Sequence, residues 1–167
     1  EEKQLPKTLS ISEKVMEHNR FDNLNKNIYR FCESVIKKDE GFDAIKAFIN
    51  RDVPKIKGVN EGDKIIKGEN FDIEIPKVIS NLQSSYLYLQ GPPGSGKTYH
   101  ASNSILELIK KNKKIGVTAN SHKVIHNLLS RVEVLAKKQN FTFKGLKMGN
   151  IENEESFYDG EFVKTEK

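Results

Sequence analysis

An α/β fold built around a parallel sheet is the class this sequence predicts, and three observations predict it. The first is the octapeptide Gly91-Pro92-Pro93-Gly94-Ser95-Gly96-Lys97-Thr98, a complete G-x-x-x-x-G-K-[ST] phosphate-binding loop. The second is its surroundings. Tyr86-Leu87-Tyr88-Leu89-Gln90 reads as a short strand entering the loop, and Thr98 to Lys111 as a helix leaving it, with Ala101, Ile105, Leu108 and Ile109 on one face. The third is that the alternation repeats: Ile115-Gly116-Val117-Thr118-Ala119 reads as a strand and is followed by a long apolar-periodic helix. Strand, helix, strand, helix implies parallel strands joined by right-handed crossovers.

Taken in chain order, residues 10 to 50 read as helical and polar, with Leu24, Ile28, Phe31 and Val35 at helical spacing. Phe42, Ile45, Phe48 and Ile49 give a second, short helix a face, and the chain breaks at Asp52-Val53-Pro54, because proline disfavours helix in the residue before it. Residues 54 to 72 carry Gly58, Gly62 and Gly68 among charges and read as an irregular connection. Pro76 suits a helix first turn, so a short helix over Pro76 to Leu82 is expected before the strand at Tyr86. After the loop helix, Lys110-Lys111-Asn112-Lys113-Lys114 places cations where a helix C-terminus favours them. Asn120 or Ser121 then caps a helix running to about Lys138, with Val124, Ile125, Leu128, Leu129, Val132 and Leu135 at three-four spacing. Phe141 to Lys144 reads as a further short strand, and 151–167, acidic and without periodicity, as a tail.

The loop has a chemical logic. Its glycines let backbone N–H groups turn inward around an anion, and the helix start adds a positive dipole end at the same place. Lys97 is expected to reach the β- and γ-phosphates of a nucleoside triphosphate, and the Thr98 hydroxyl to bind the Mg²⁺ that bridges them. The competing reading is a glycine-rich turn ahead of a surface helix. Chance supplies the four fixed positions in roughly one chain of this size in a hundred, and the strand before and helix after make the turn alone a poor account.

Composition narrows the class further. No run of apolar residues is long enough to cross a membrane and no signal peptide is present, so a soluble, cytoplasmic protein is expected. Cys32 is the single cysteine, which excludes an internal disulfide, and it reads as a small buried hydrophobe. Charge is uneven: residues 97–150 carry 11 basic and 2 acidic side chains, against 2 basic and 6 acidic over 151–167. A basic segment directly after a phosphate loop suits a polyanionic partner through counterion release, while solvated helix faces in a lysine-rich chain explain it equally well.

A hydrolysing site also needs an acidic residue at the end of a neighbouring strand, and often an arginine. No apolar run ending in such an acid follows Ala119, and two strands are too few for a complete doubly wound sheet. The chain, which begins Glu1-Glu2-Lys3 without an initiator Met, is therefore expected to be the front of a larger motor domain, needing the rest of a parent chain to complete it. A truncated sheet leaves an edge and an apolar face uncovered, which implies marginal stability alone.

Gln90 to Thr98, followed after one helix by Ile115 to Leu129 with the wording Val117-Thr118-Ala119-Asn120-Ser121-His122-Lys123-Val124-Ile125-His126-Asn127-Leu128-Leu129, resembles motifs I and Ia of superfamily 1 helicases. It is similar to the helicase part of bacterial proteins that fuse a RecB-like nuclease to such a helicase, over roughly residues 76 to 147. The resemblance implies a partial RecA-like P-loop NTPase domain with a truncated parallel sheet over 73–150; the residues themselves read as a mainly helical segment and connection over 1–72 before it and an acidic tail or cut end over 151–167 after it. It implies ATP and Mg²⁺ as cofactors, bound by Gly91, Pro92, Pro93, Gly94, Ser95, Gly96, Lys97, Thr98 and Tyr99, with Lys97 and Thr98 in the catalytic roles. It implies single-stranded DNA, or RNA, held through its backbone by Asn120, Ser121, His122 and Lys123 at a helix N-terminus. Ser121 acting only as a helix cap is the alternative there. His122 and His126, one turn apart, lack a third ligand and do not read as a metal site. Relatives carry an upstream glutamine that reads adenine, and Asn70 to Ile75 contains none. Two other functions fit less of the sequence: a nucleotide-dependent DNA-binding switch or scaffold without unwinding, and a small P-loop kinase, for which the scattered Arg20, Arg30, Arg51 and Arg131 offer no lid.

Overall fold

The structure, a computed structural model, describes residues 19–68, 70–149 and 153–166. The chain divides into two compact units, Glu1–Asp52 and Val53–Lys167.

In the first unit, helix α1 (Asn19–Ile36) and helix α2 (Asp43–Asn50) fall within the expected helical stretch, and its residues 10 to 18 lie outside the described part. Phe31 meets Phe42 edge to face, with ring centroids 5.8 Å apart. The Lys46 ammonium of α2 donates to the carbonyls of Ser34 and Asp39 at 3.2 and 2.8 Å, tying α2 to the end of α1 and the turn after it. Two helices alone bury little. Among its described residues Ser34 is the buried position, and Cys32, expected inside, is exposed. The turn that presents Phe31 and Ser34 toward α2 leaves Cys32 on a side that no described element of this unit covers.

The second unit takes in the connection after Pro54. Ile56 forms an antiparallel bridge with Leu82, and Lys57 and Gln83 N–H groups bond the Asn81 and Lys55 carbonyls at 2.9 and 3.0 Å. Helix α3 (Phe71–Ser80) starts earlier than expected, so Pro76 lies inside the helix rather than in its first turn. Proline has no N–H to give the carbonyl four residues before it, which is that of Asp72. Asn103 of the next helix supplies the missing donor, its Nδ2 standing 2.7 Å from the Asp72 oxygen. A backbone defect in one helix thus becomes a bond to its neighbour.

That neighbour, α4 (Lys97–Lys110), packs against both α3 and α5 (His122–Lys138). The fully buried positions of α4 are Ser102, Ser104 and Leu106, rather than the stripe through Ala101, Ile105, Leu108 and Ile109, which is half-buried. Two serines keep α4 slim where helices flank it, while Ile105 and Ile109 line an apolar groove of about 630 Å³ with Ile125, Leu129 and Val132 of α5. Helix α5 runs as expected from its cap at Ser121, whose hydroxyl accepts from the Val124 N–H at 3.4 Å.

The fold is α/β, and its sheet is small. Strand β1 (Gly145–Met148) pairs in parallel with β2 (Val163–Glu166), Gly145 against Val163 and Met148 against Glu166. The expected strands Tyr86–Gln90 and Ile115–Ala119 are corrected: among the described residues neither joins a ladder, and Tyr88 is 66% and Ile115 36% exposed. A strand exists through a partner's N–H and C=O groups, and an apolar run alone does not supply one. The expected strand at Phe141–Lys144 is likewise displaced to Gly145–Met148. The stretch read as a tail carries β2 and a short 3₁₀ turn at Glu154–Ser156, with Ser156 and Val163 buried. Its order comes from its neighbours. Buried Glu133 of α5 accepts from the N–H groups of Glu161, Phe162 and Val163 at 3.2, 2.9 and 2.9 Å, and the Lys147 ammonium of β1 donates to the Ser156 carbonyl at 2.6 Å.

Candidate functional site

The glycine loop leads directly into α4. Gly94 and Gly96 hold φ of +83° and +81°, the left-handed region that favours glycine, and a Cβ on Gly91 would collide with the Ser95 hydroxyl. Gly96 is the N-cap of α4 and offers no side-chain acceptor, so the first-turn N–H groups have no cap from the protein. Lys97 curls back over the loop: its ammonium donates to the Gly91 and Pro92 carbonyls at 2.6 and 2.7 Å and to Ser95 Oγ at 3.4 Å. A positive charge therefore stands among exposed residues beside an uncapped helix start. Pro92, Pro93, Ser95, Thr98 and Tyr99 are exposed, Gly91 and Gly96 half-buried. Backbone N–H groups, a dipole end and an exposed ammonium together suit an anion with several oxygens, such as a polyphosphate.

Behind the loop, Asp72 gathers three residues of α4. Its carboxylate accepts from the Tyr99 hydroxyl at 3.0 Å and stands 3.3 Å from His100 Nδ1, while its carbonyl takes the Asn103 amide. The contact with His100 has ion-pair distance without hydrogen-bond alignment. The hydrogen bond to Asp72 holds the Tyr99 proton above the ordinary tyrosine value. Tyr99, expected among the nucleotide contacts, thus has its hydroxyl turned toward α3. Sequence reasoning assigned neither Asp72 nor His100 a chemical role. Nothing in their spacing marks the pair.

The second candidate cluster opens α5. Asn120, Ser121 and Lys123 are exposed and His122 half-buried. Ser121 does cap the helix. His122 Nδ1 lies 3.3 Å from the Lys147 ammonium, a side chain 5% exposed that also donates to the Met148 carbonyl at 3.0 Å. An ammonium only donates, so this contact puts the Nδ1 lone pair toward Lys147 and the ring hydrogen on Nε2. His126 follows, its ring 5.3 Å from that of Tyr158. Burial, then the charge of Lys147, holds His126 below the ordinary histidine range. Burial, then the Glu133 carboxylate, pushes the Tyr158 hydroxyl up to about 12. Lys147 and Glu133 were missed by sequence reasoning, although each is a charge inside an apolar stretch, Leu146-Lys147-Met148 and Val132-Glu133-Val134. That misfit is the signal that was available.

Among the described residues no group of three or more His, Cys, Asp or Glu gathers to hold a metal, and no helix is long and apolar enough to cross a membrane. Comparisons with protein-family models, with curated proteins and with solved structures find no match for this chain.

Proposed function

We propose that this chain binds ATP with Mg²⁺ at the Gly91–Thr98 loop and belongs to an ATP-dependent DNA helicase or translocase of the superfamily 1 kind, of the nuclease-fused type. The observation that carries the nucleotide reading is the loop itself: left-handed Gly94 and Gly96, an uncapped α4 start and the Lys97 ammonium folded over the loop carbonyls. On binding, Lys97 exchanges those carbonyls for phosphate oxygens, an exchange that favours the more negative partner. The exposed Thr98 hydroxyl would hold Mg²⁺ together with the phosphates, and the ion would neutralise charge on them. The single-strand contact is assigned to Asn120, Ser121, His122 and Lys123. The start of α5 and the exposed Lys123 suit a phosphate backbone, held without reading bases. RNA fits the same chemistry.

The test is ATP hydrolysis by the whole protein with single-stranded DNA and RNA titrated separately. Stimulation by single-stranded DNA supports the motor. Triphosphate binding without stimulation turns the reading to a nucleotide-dependent switch, and phosphate transfer to a small acceptor turns it to a kinase.

A further inference from the structure

The start of α3 is tied to the first turns of α4 by one residue that touches no glycine of the loop. Asp72 engages Tyr99 through Oδ2, His100 through Oδ1 and Asn103 through its carbonyl. Phe71 meets the imidazole edge to face at 6.1 Å, and Tyr99 does so at 5.4 Å. The ring so held backs the loop: His100 Nε2 lies 3.5 Å from where a Cβ on Gly96 would stand. Gly96 is the left-handed residue at which the loop turns into α4, and the next residue is Lys97. A ring set against that turn limits how the loop can swing when Lys97 leaves the Gly91 and Pro92 carbonyls. Side chains held by packing and by a neighbour's hydrogen bonds are what keep a binding loop within the narrow tolerance it needs.

We propose that Asp72 is a positioning residue for the phosphate loop, acting through His100 on the Gly96 turn. The inference rests on the nucleotide reading of that loop. Asp72 reaches the loop only through the α4 side chains, and its own two bonds differ in consequence. The carboxylate sets the rings, whereas the carbonyl bond to Asn103 merely joins the helices.

That difference supplies the test. Affinity of the full chain for an ATP analogue with a ribose-borne fluorophore is measured for Asp72→Ala, Asp72→Asn and Asn103→Leu, beside thermal stability and amide exchange at Gly96. Asp72→Ala is expected to weaken binding about tenfold and to speed Gly96 exchange. Asp72→Asn retains an acceptor for Tyr99 and offers an N–H to the imidazole, so it is expected within about twofold of wild type. Asn103→Leu is expected to lower stability and leave affinity unchanged. Equal affinity loss in Asp72→Ala and Asn103→Leu would mean a merely structural tie and overturn the proposal, as would Asp72→Ala binding like wild type. Absence of analogue binding by the wild type overturns the nucleotide reading and this inference together, an outcome told apart because no variant is then needed to see it.

Discussion

Replacing Glu133 with Leu should detach the 153–166 segment from the second unit. The carboxylate is 6% exposed and accepts three main-chain N–H bonds and, at 3.2 Å, the Tyr158 hydroxyl. Two effects oppose each other. Removing a buried carboxylate relieves its desolvation, which in well-packed interiors can make such a swap neutral. Here, however, leucine leaves donors behind: the Val163 N–H is buried, and those of Glu161 and Phe162 partly so. An orphaned buried donor costs about 1–3 kcal/mol, and bonds to a charged acceptor contribute about 1.5–3 each before desolvation is subtracted, so a net loss of about 3 kcal/mol is expected. With a urea slope of about 2 kcal/mol per molar, the midpoint falls by roughly 1.5 M. Glu133→Gln keeps one acceptor oxygen and should lose about half as much. Urea unfolding followed by far-UV circular dichroism gives the midpoints, and amide exchange at 161–163 locates the loss. An unchanged Glu133→Leu midpoint, or 161–163 amides as protected as before, would refute the argument that this carboxylate seats the segment.

Three further outcomes are expected. Lys97→Ala should abolish triphosphate binding with little change in the unfolding midpoint, because the Lys97 bonds are exposed; retained affinity in a calorimetric titration would remove the loop from the site. Gly160→Ala should destabilise by about 1–3 kcal/mol, since its Cβ would fall onto the Glu133 carboxylate oxygens, and a thermal melt matching wild type would contradict that close approach. His126 faces Lys147, His122 and Tyr158 and holds its proton less tightly when folded, whereas the unfolded chain takes up that proton at about 6.5. The unfolded state therefore binds more protons below that pH, and stability should fall as pH drops through about 6.5 toward the lower folded value, then level. A His126→Gln variant with the same slope over that range would exclude His126 as its source.

How much of this was legible differs by element. Helices α4 and α5 could be read because each carries its own evidence: a glycine loop or serine at the start, periodic apolar residues, lysines at the end. Strands could not. Tyr86–Gln90 and Ile115–Ala119 have the composition of buried strands, yet a ladder is a property of two segments, and composition reports one. The partner of β1 lay in 153–166, whose alternation is too short to register and whose seat depends on Glu133 and Lys147 reaching from elsewhere in the chain. Pro76 misled for a related reason, because the bond that lets it sit inside α3 is supplied by Asn103 on another helix. At the site, the loop was fully local and could be named residue by residue. Asp72 and His100 meet only through the packing of α3 on α4.

The grip on the 153–166 segment has a consequence for its divergence. Glu133 and Lys147 hold it by peptide N–H and C=O groups, which every residue but proline supplies alike. Apart from the Tyr158 hydroxyl on Glu133, such a hold is blind to side-chain identity. Glu154, Glu155, Asp159, Lys164 and Glu166 are exposed and can be recoded, even to reversed charge, while the segment keeps its place. What that surface displays is thereby free to drift, with Tyr158, Gly160 and Val163 as fixed points beneath it.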